Sequence, residues 1–206
     1  MDFLKVYAFL VWILFLGIFV APIAALFHAE AVAGFSYSIY APLCHQYPGR
    51  SFAIFPNTEA ISDCTSNIPN ESYVWSKYTS FFFVKNYSGP FTYNVSDVGR
   101  VRAEICAKNG EIGYKLAVCA RDTGFYAGLA LATFLIDRRR DRKEKKGKSL
   151  GKFPFWLFVL MVVPFAFDGL GQFLGFWQST NITRLLTGLF AGLATSLLLM
   201  DSLREW

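Results

Sequence analysis

Charge is what this chain has least of. Asp, Glu, Lys and Arg make up 17% of its 206 residues, against about a quarter in soluble globular domains. Hydrophobic residues reach 54%, 22 of the residues are Phe, and mean hydropathy is +0.35. That balance excludes an ordinary soluble domain. Histidine is scarce too: His28 and His45 are the two in the chain. Its four cysteines include no Cys-x-x-Cys pair, so the common paired-thiolate zinc module is missing. No internal repeat is visible.

The charge that is present is unevenly placed. The segment 137–152, DRRRDRKEKKGKSLGK, holds nine of the 20 Lys and Arg residues. Residues 28–118 carry seven basic and seven acidic side chains and are neutral. The net +5 of the chain is therefore a property of one loop, and nucleic-acid binding is excluded as its explanation. Short cationic loops beside membrane spans stay on the cytoplasmic side and attract anionic lipid.

Four apolar stretches flank this loop or precede it: Phe3 to Phe27, about Thr123 to Ile136, Phe153 to Trp177, and Thr183 to Leu203. A span needs about 20 apolar residues. The second stretch is short unless it begins near Lys115 with Arg121 and Asp122 buried in protein. The first is longer than the ~7–15 residue core of a signal peptide, which favours a retained anchor over a cleaved leader ending near Ala29-Glu30-Ala31. The expected class is an all-α integral membrane protein of about four transmembrane helices with a small β-rich extracytoplasmic insertion. Its parts are an anchor helix at 1–27, an outer segment at 28–55, the insertion at 56–110, and a three-helix bundle at 111–203 with cytoplasmic loop 137–152. Both termini are expected on the cytoplasmic side of the cell membrane, and 28–118 outside.

The outer region supplies the cysteines. Cys64 and Cys106 lie near the two ends of the insertion, and a disulfide between them would close a segment too small for a robust core of its own. Asn70, Asn86 and Asn94 begin Asn-x-Ser sequons, candidate glycosylation sites on an exposed surface that could also meet a cell-surface protein. In the spans, small residues recur every four positions: Gly124/Gly128/Ala132, Gly171/Gly175 and Gly188/Gly192/Ser196. This spacing lets helices pack closely in lipid.

Polar residues in or beside spans need partners. Five groups converge on one depth: Cys44-His45-Gln46 with Arg50, Cys119-x-Arg121-Asp122, Asp168 with Gln172, Ser179-Thr180-Asn181, and Arg184. Asp168 and Arg184 are a candidate neutralising pair, and Pro164 would kink the third span below Asp168. Three chemistries remain open. Cys44, His45, Cys119 and Asp122 form a mixed set that suits zinc, with Arg50, Gln172, Asn181 and Arg184 as ligand-binding groups for an anion. Alternatively Cys44 and Cys119 form a second structural disulfide. In the third, Cys44 or Cys119 acts as nucleophile, His45 as base, Arg121 or Arg50 holds an anionic substrate group, and Asp168 orients it. Zinc is the one cofactor implied, and lipids are the expected partners.

The strings CHQYPGRSF (44–52), LAVCARDTGFYAG (116–128) and PFAFDGLGQFLGFWQSTNITRLLTGLFAG (164–192) resemble a prokaryotic membrane-protein family, domain of unknown function 2085. Its pattern runs CHQ-x-P-x-RSF, C-x-R-C-T-G-x-Y-x-G, DG-x-x-Q and S-T-N-x-x-R-x-x-T-G. Asp122 stands where the pattern has its second cysteine, and the spacer between the first two motifs is longer here. The resemblance implies a fold and a site, and no reaction. The family's C-x-R-C arrangement strengthens the metal reading.

Overall fold

The computed structural model describes residues 3–44, 50–57, 61–63, 105–108, 111–144 and 152–203. Among them are five helices and four short strands: α1 (Phe3–Leu26), α2 (Glu30–Tyr40), β1 (Phe52–Ile54), β2 (Ser62–Asp63), β3 (Ile105–Lys108), β4 (Glu111–Lys115), α3 (Ala120–Glu144), α4 (Phe155–Phe173) and α5 (Asn181–Leu203). The chain divides into two compact units, Met1–Leu16 with Arg121–Trp206, and Gly17–Ala120.

In the first unit, α4 and α5 are long and apolar enough to cross a membrane, as is α1, whose first half lies here. Their lipid-facing sides are bare: Phe9, Leu160, Phe167 and Leu170 are all more than half exposed. The remaining expected span, α3, is different. It is 25 residues long, but its uncharged run ends at Ile136, leaving about 21 Å of apolar helix against a hydrocarbon core of about 30 Å. It does not begin near Lys115, which ends strand β4; it begins at Ala120.

The glycine spacing does what it promises between α3 and α5. A Cβ on Gly124 or Gly128 would run into the backbone at Leu185 and Leu189, and one on Gly188 or Gly192 into the carbonyls of Arg121 and Phe125, all under 3.0 Å. The two helices touch main chain to main chain. On α4 the glycines serve another end. Gly171 makes room for the indole of Trp177, and Gly175 takes a positive φ of 78° just past the helix, the left-handed turn that ends helices. α1 joins through Val11, packed with Leu129 and Ala130, and through Tyr7, whose hydroxyl donates to Ser196 at 3.1 Å. Helix α4 runs unbroken through Pro164.

In the second unit the sheet order is β2-β1-β4-β3, all neighbours antiparallel. β1 and β4 lie just outside the 56–110 range and pair with each other. Helix α2, not foreseen in sequence, buries Ala33, Gly34, Ser36, Tyr37 and Tyr40 on one side. Tyr37 is its main attachment: the hydroxyl donates to the Lys115 carbonyl at 2.6 Å. Lys115 itself is fully buried, its ammonium donating to Leu116 O at 2.8 Å and lying 5.9 Å from the Tyr37 ring centre. Tyr37→Phe is expected to cost about 1 kcal/mol, measured by thermal unfolding in detergent. A larger loss would mean that the hydroxyl holds more than one carbonyl.

Candidate functional site

Cys44 follows the end of α2, and Cys119 directly precedes α3, 75 residues further on. The fold brings them together. Their sulfurs lie within 4.8 Å of each other, and the Cys119 backbone N–H donates to Cys44 Sγ at 3.1 Å. Cys44 is buried and Cys119 half-buried. No disulfide joins them, so the alternative of a Cys44–Cys119 bond is not formed. His45 lies outside the described residues, as do Cys64, Asn70, Asn86 and Asn94. Cys106 is on β3, and only its backbone is described. Arg50 is half-buried ahead of β1, and Asp122 is in the first turn of α3.

The other polar residues assemble in the first unit around Asp168, which is 6% exposed. Arg121 Nη2 forms an ion pair with Asp168 Oδ2, and Gln172 Nε2 donates to the same oxygen at 2.9 Å. On Oδ1, Ser179 donates its hydroxyl and Trp177 makes a long 3.5 Å approach through its indole N–H. The cation facing Asp168 is thus Arg121, where Arg184 was expected. Arg184 reaches it through an intermediary: its Nε and Nη2 donate to Gln172 Oε1 at 3.2 and 3.0 Å. Arg184 Nη1 donates to Asn181 Oδ1 at 2.9 Å. Thr180 sets the start of α5, its hydroxyl accepting the Thr183 N–H at 3.1 Å, so the residues just after it arrive in register.

A carboxylate has about four acceptor positions, and four donors surround this one. Asp168 therefore has little capacity left to take a proton from a substrate. Its geometry suits a hub that joins the head of α3, the end of α4, the α4–α5 turn and, through Gln172, the start of α5. Arg121 Nε is buried with no hydrogen-bond partner among the described residues. The guanidinium carbon lies 5.5 Å from the Phe165 ring centre, so the aromatic face takes part of the interaction that an acceptor would.

The family described as "Predicted membrane protein (DUF2085)" matches residues 112–198. An uncharacterised protein of Methanothermobacter thermautotrophicus is 35% identical over 86 residues, 42% of this chain and 71% of the relative. The chain belongs to this family. A second uncharacterised protein, from Methanocaldococcus jannaschii, is 31% identical over 80 residues, 39% of this chain. The chain spans 48% of that relative's length. No solved structure matches. The part matched to DUF2085 runs from β4 to the later turns of α5, so it contains Cys119, Arg121 and the whole Asp168 network, while Cys44 lies before it.

Trp177 and Lys115 were missed as contributors to these DUF2085 clusters, whereas Ser179 was among the converging polar groups without a stated partner. Trp177 follows the left-handed Gly175, a turn signal that returns the indole toward α4. Lys115 was visible as a lone cation inside the apolar run of residues 112–118.

Proposed function

We propose that this membrane protein binds a thiophilic divalent cation, zinc by preference, through Cys44 and Cys119. One observation carries the reading: two cysteines from distant segments, with sulfurs within 4.8 Å of each other. Two thiolates at about 2.3 Å from a tetrahedral zinc lie about 3.8 Å apart, a separation that this pair reaches by small rotations. The sequence places His45 beside one thiol and Asp122 three residues from the other, and these are the further ligands proposed. The arginines support the same choice by elimination. Arg121 and Arg184 already donate to protein acceptors, which moves ligand binding from an anion site to the thiols. The cationic segment 137–152 supports a cell-membrane orientation with both termini inside and the thiols on the outer face.

Metal analysis of the purified protein tests this. Stoichiometric zinc is expected in the wild type and its loss in Cys44→Ser and in Cys119→Ser. A zinc-loaded wild type that retains no metal while both thiols remain alkylatable would overturn it.

A second reading has its own observation, the half-buried Cys119 at a helix start. It makes Cys119 the nucleophile of an outer-leaflet enzyme, with His45 as base. Metal-free protein with one thiol that reacts much faster than the other would favour it.

A further inference from the structure

Helix α2 is inside out for a helix in water. Its buried side consists of Ala33, Gly34, Ser36, Tyr37 and Tyr40. Val32, Phe35 and Ile39, with Leu43 just past its end, are 48% to 68% exposed. Their spacing of three and four residues puts them on one stripe, and a soluble helix turns such a stripe inward. No charge falls between Ala31 and Leu43. The two serines do not ask for water either. Ser36 and Ser38 donate to Val32 O and Gly34 O, each at 2.8 Å.

The path of the chain says what medium that stripe meets. α1 ends in a left-handed turn, with His28 at φ 58° and the Ala29 N–H donating back to Ala24 O at 2.9 Å. α2 then doubles back along α1. A Cβ on Gly17 would collide with the Tyr40 hydroxyl, so the far end of α2 lies near the level of a residue nine positions before the end of α1. At the helical rise that is about 13 Å back from the end. At the same level the Ala117 N–H donates to Ile18 O at 3.2 Å. That carbonyl has no donor within its own helix, because Pro22 four residues on carries no N–H. Leu116, Ala117 and Val118 are all buried, as irregular backbone at membrane depth must be. α1 has little length to spare above a bilayer. Its uncharged run, Val6 to Phe27, is 22 residues, close to the roughly 20 that one crossing takes. Val20 and Ile23 on the same stretch of α1 are exposed as well.

We propose that α2 re-enters the bilayer beside α1, with Val32, Phe35, Ile39 and Leu43 against the acyl chains of one leaflet. Its 11 residues make about 16 Å of helix, close to half of a hydrocarbon core of about 30 Å. Apolar segments of this length suit re-entrant positions rather than full spans. Cys44, whose N–H donates to Tyr40 O at 3.2 Å, is carried below the headgroups with the end of α2. That placement holds whatever the thiol binds.

Full-length protein in phosphatidylcholine nanodiscs provides the test. The photoreactive p-benzoylphenylalanine takes the place of Phe35 in one sample and of Ile23 on α1 in another. On illumination both should form phospholipid adducts, in yields within a few-fold of each other by mass spectrometry. Unmodified protein is measured beside them by methyl NMR, which needs no substitution in the helix. A nitroxide deep in the acyl chain should broaden Ile39 several-fold more than Val32, and a nitroxide near the headgroup should reverse that order. A water-soluble gadolinium chelate should leave Ile39 unchanged. Cross-linking from position 35 to a second copy of the chain would make the stripe a protein interface and overturn the proposal. So would the lack of a lipid adduct at position 35 while position 23 forms one. Equal broadening of Val32 and Ile39 by both nitroxides would lay α2 flat on the surface, and broadening of Ile39 by the chelate would place it in water; either result also overturns re-entry.

Discussion

Asp168→Ala is expected to be among the most damaging single substitutions in the protein, costing about 3 kcal/mol or more. Removing one partner of a buried ion pair typically costs about 3–5 kcal/mol, because the other charge is left without compensation. The Arg121 side chain is 20% exposed and the Asp168 side chain 8%, which places the effect toward the lower end. The ion pair is only part of it. Gln172, Ser179 and Trp177 also aim donors at this carboxylate, and all three lose their acceptor at once. Asp168→Asn should cost nearly as much, although it preserves shape. Each carboxylate oxygen faces donors, so the new NH2 group must point at another donor whichever way the amide turns. Thermal unfolding in detergent gives the measurement, and a double-mutant cycle gives the interpretation. Arg121→Met combined with Asp168→Leu should be less harmful than the sum of the two single changes. Strict additivity, or an Asp168→Ala protein as stable as the wild type, would show that Asp168 is not the hub of this end of the bundle.

That hub shows how far sequence reasoning reached and where it stopped. The need for partners was legible: a carboxylate deep in an apolar run requires a cation, and the i, i+4 spacing put Gln172 beside Asp168. Which arginine answers was not. Arg121 and Arg184 lie at similar expected depths, and only helix rotation decides which one points at the carboxylate. Gln172 occupies the place between Asp168 and Arg184. The last two helices were legible because their apolar runs end in strong signals. Gly175 stops α4, and Thr180 starts α5 two residues ahead of the expected Thr183. Helix α2 was hidden, because its buried face consists of Ala, Gly, Ser and Tyr, which carry little hydrophobic periodicity. Strand β4 was hidden for a different reason. Glu111 and Lys115 bracket it, and what makes it a strand is pairing with β1 and β3 rather than local propensity. The meeting of Cys44 with Cys119 followed from placing both motifs at one depth; that no disulfide joins them did not follow from sequence at all.

Gly188→Ala should be severely destabilising, at or beyond the upper end of the roughly 1–3 kcal/mol typical of overpacking. In an ordinary helix interior, the same change stabilises by about 0.5–1 kcal/mol. The sign reverses because the new methyl group would meet the Arg121 carbonyl, and a backbone atom cannot rotate away as a side-chain tip can. The contact is reciprocal. Gly124 and Gly128 on α3 face the carbonyls of Leu185 and Leu189, while Gly188 and Gly192 on α5 face those of Arg121 and Phe125. Relief at one glycine therefore requires the two helices to separate along the whole seam. Gly188 has the further consequence that its neighbour is Arg121, so the displacement also pulls the guanidinium from Asp168. Gly169 on α4 provides the contrast. Its added Cβ would find Arg121 Nη1 at 3.4 Å, an ordinary contact, so Gly169→Ala should be neutral or slightly stabilising. Thermal unfolding of Gly188→Ala, Gly192→Ala and Gly169→Ala side by side decides the matter. If all three shifted in the same stabilising direction, α3 and α5 would not be in main-chain contact, and the Arg121–Asp168 pair would lose the scaffold that holds its cation in place.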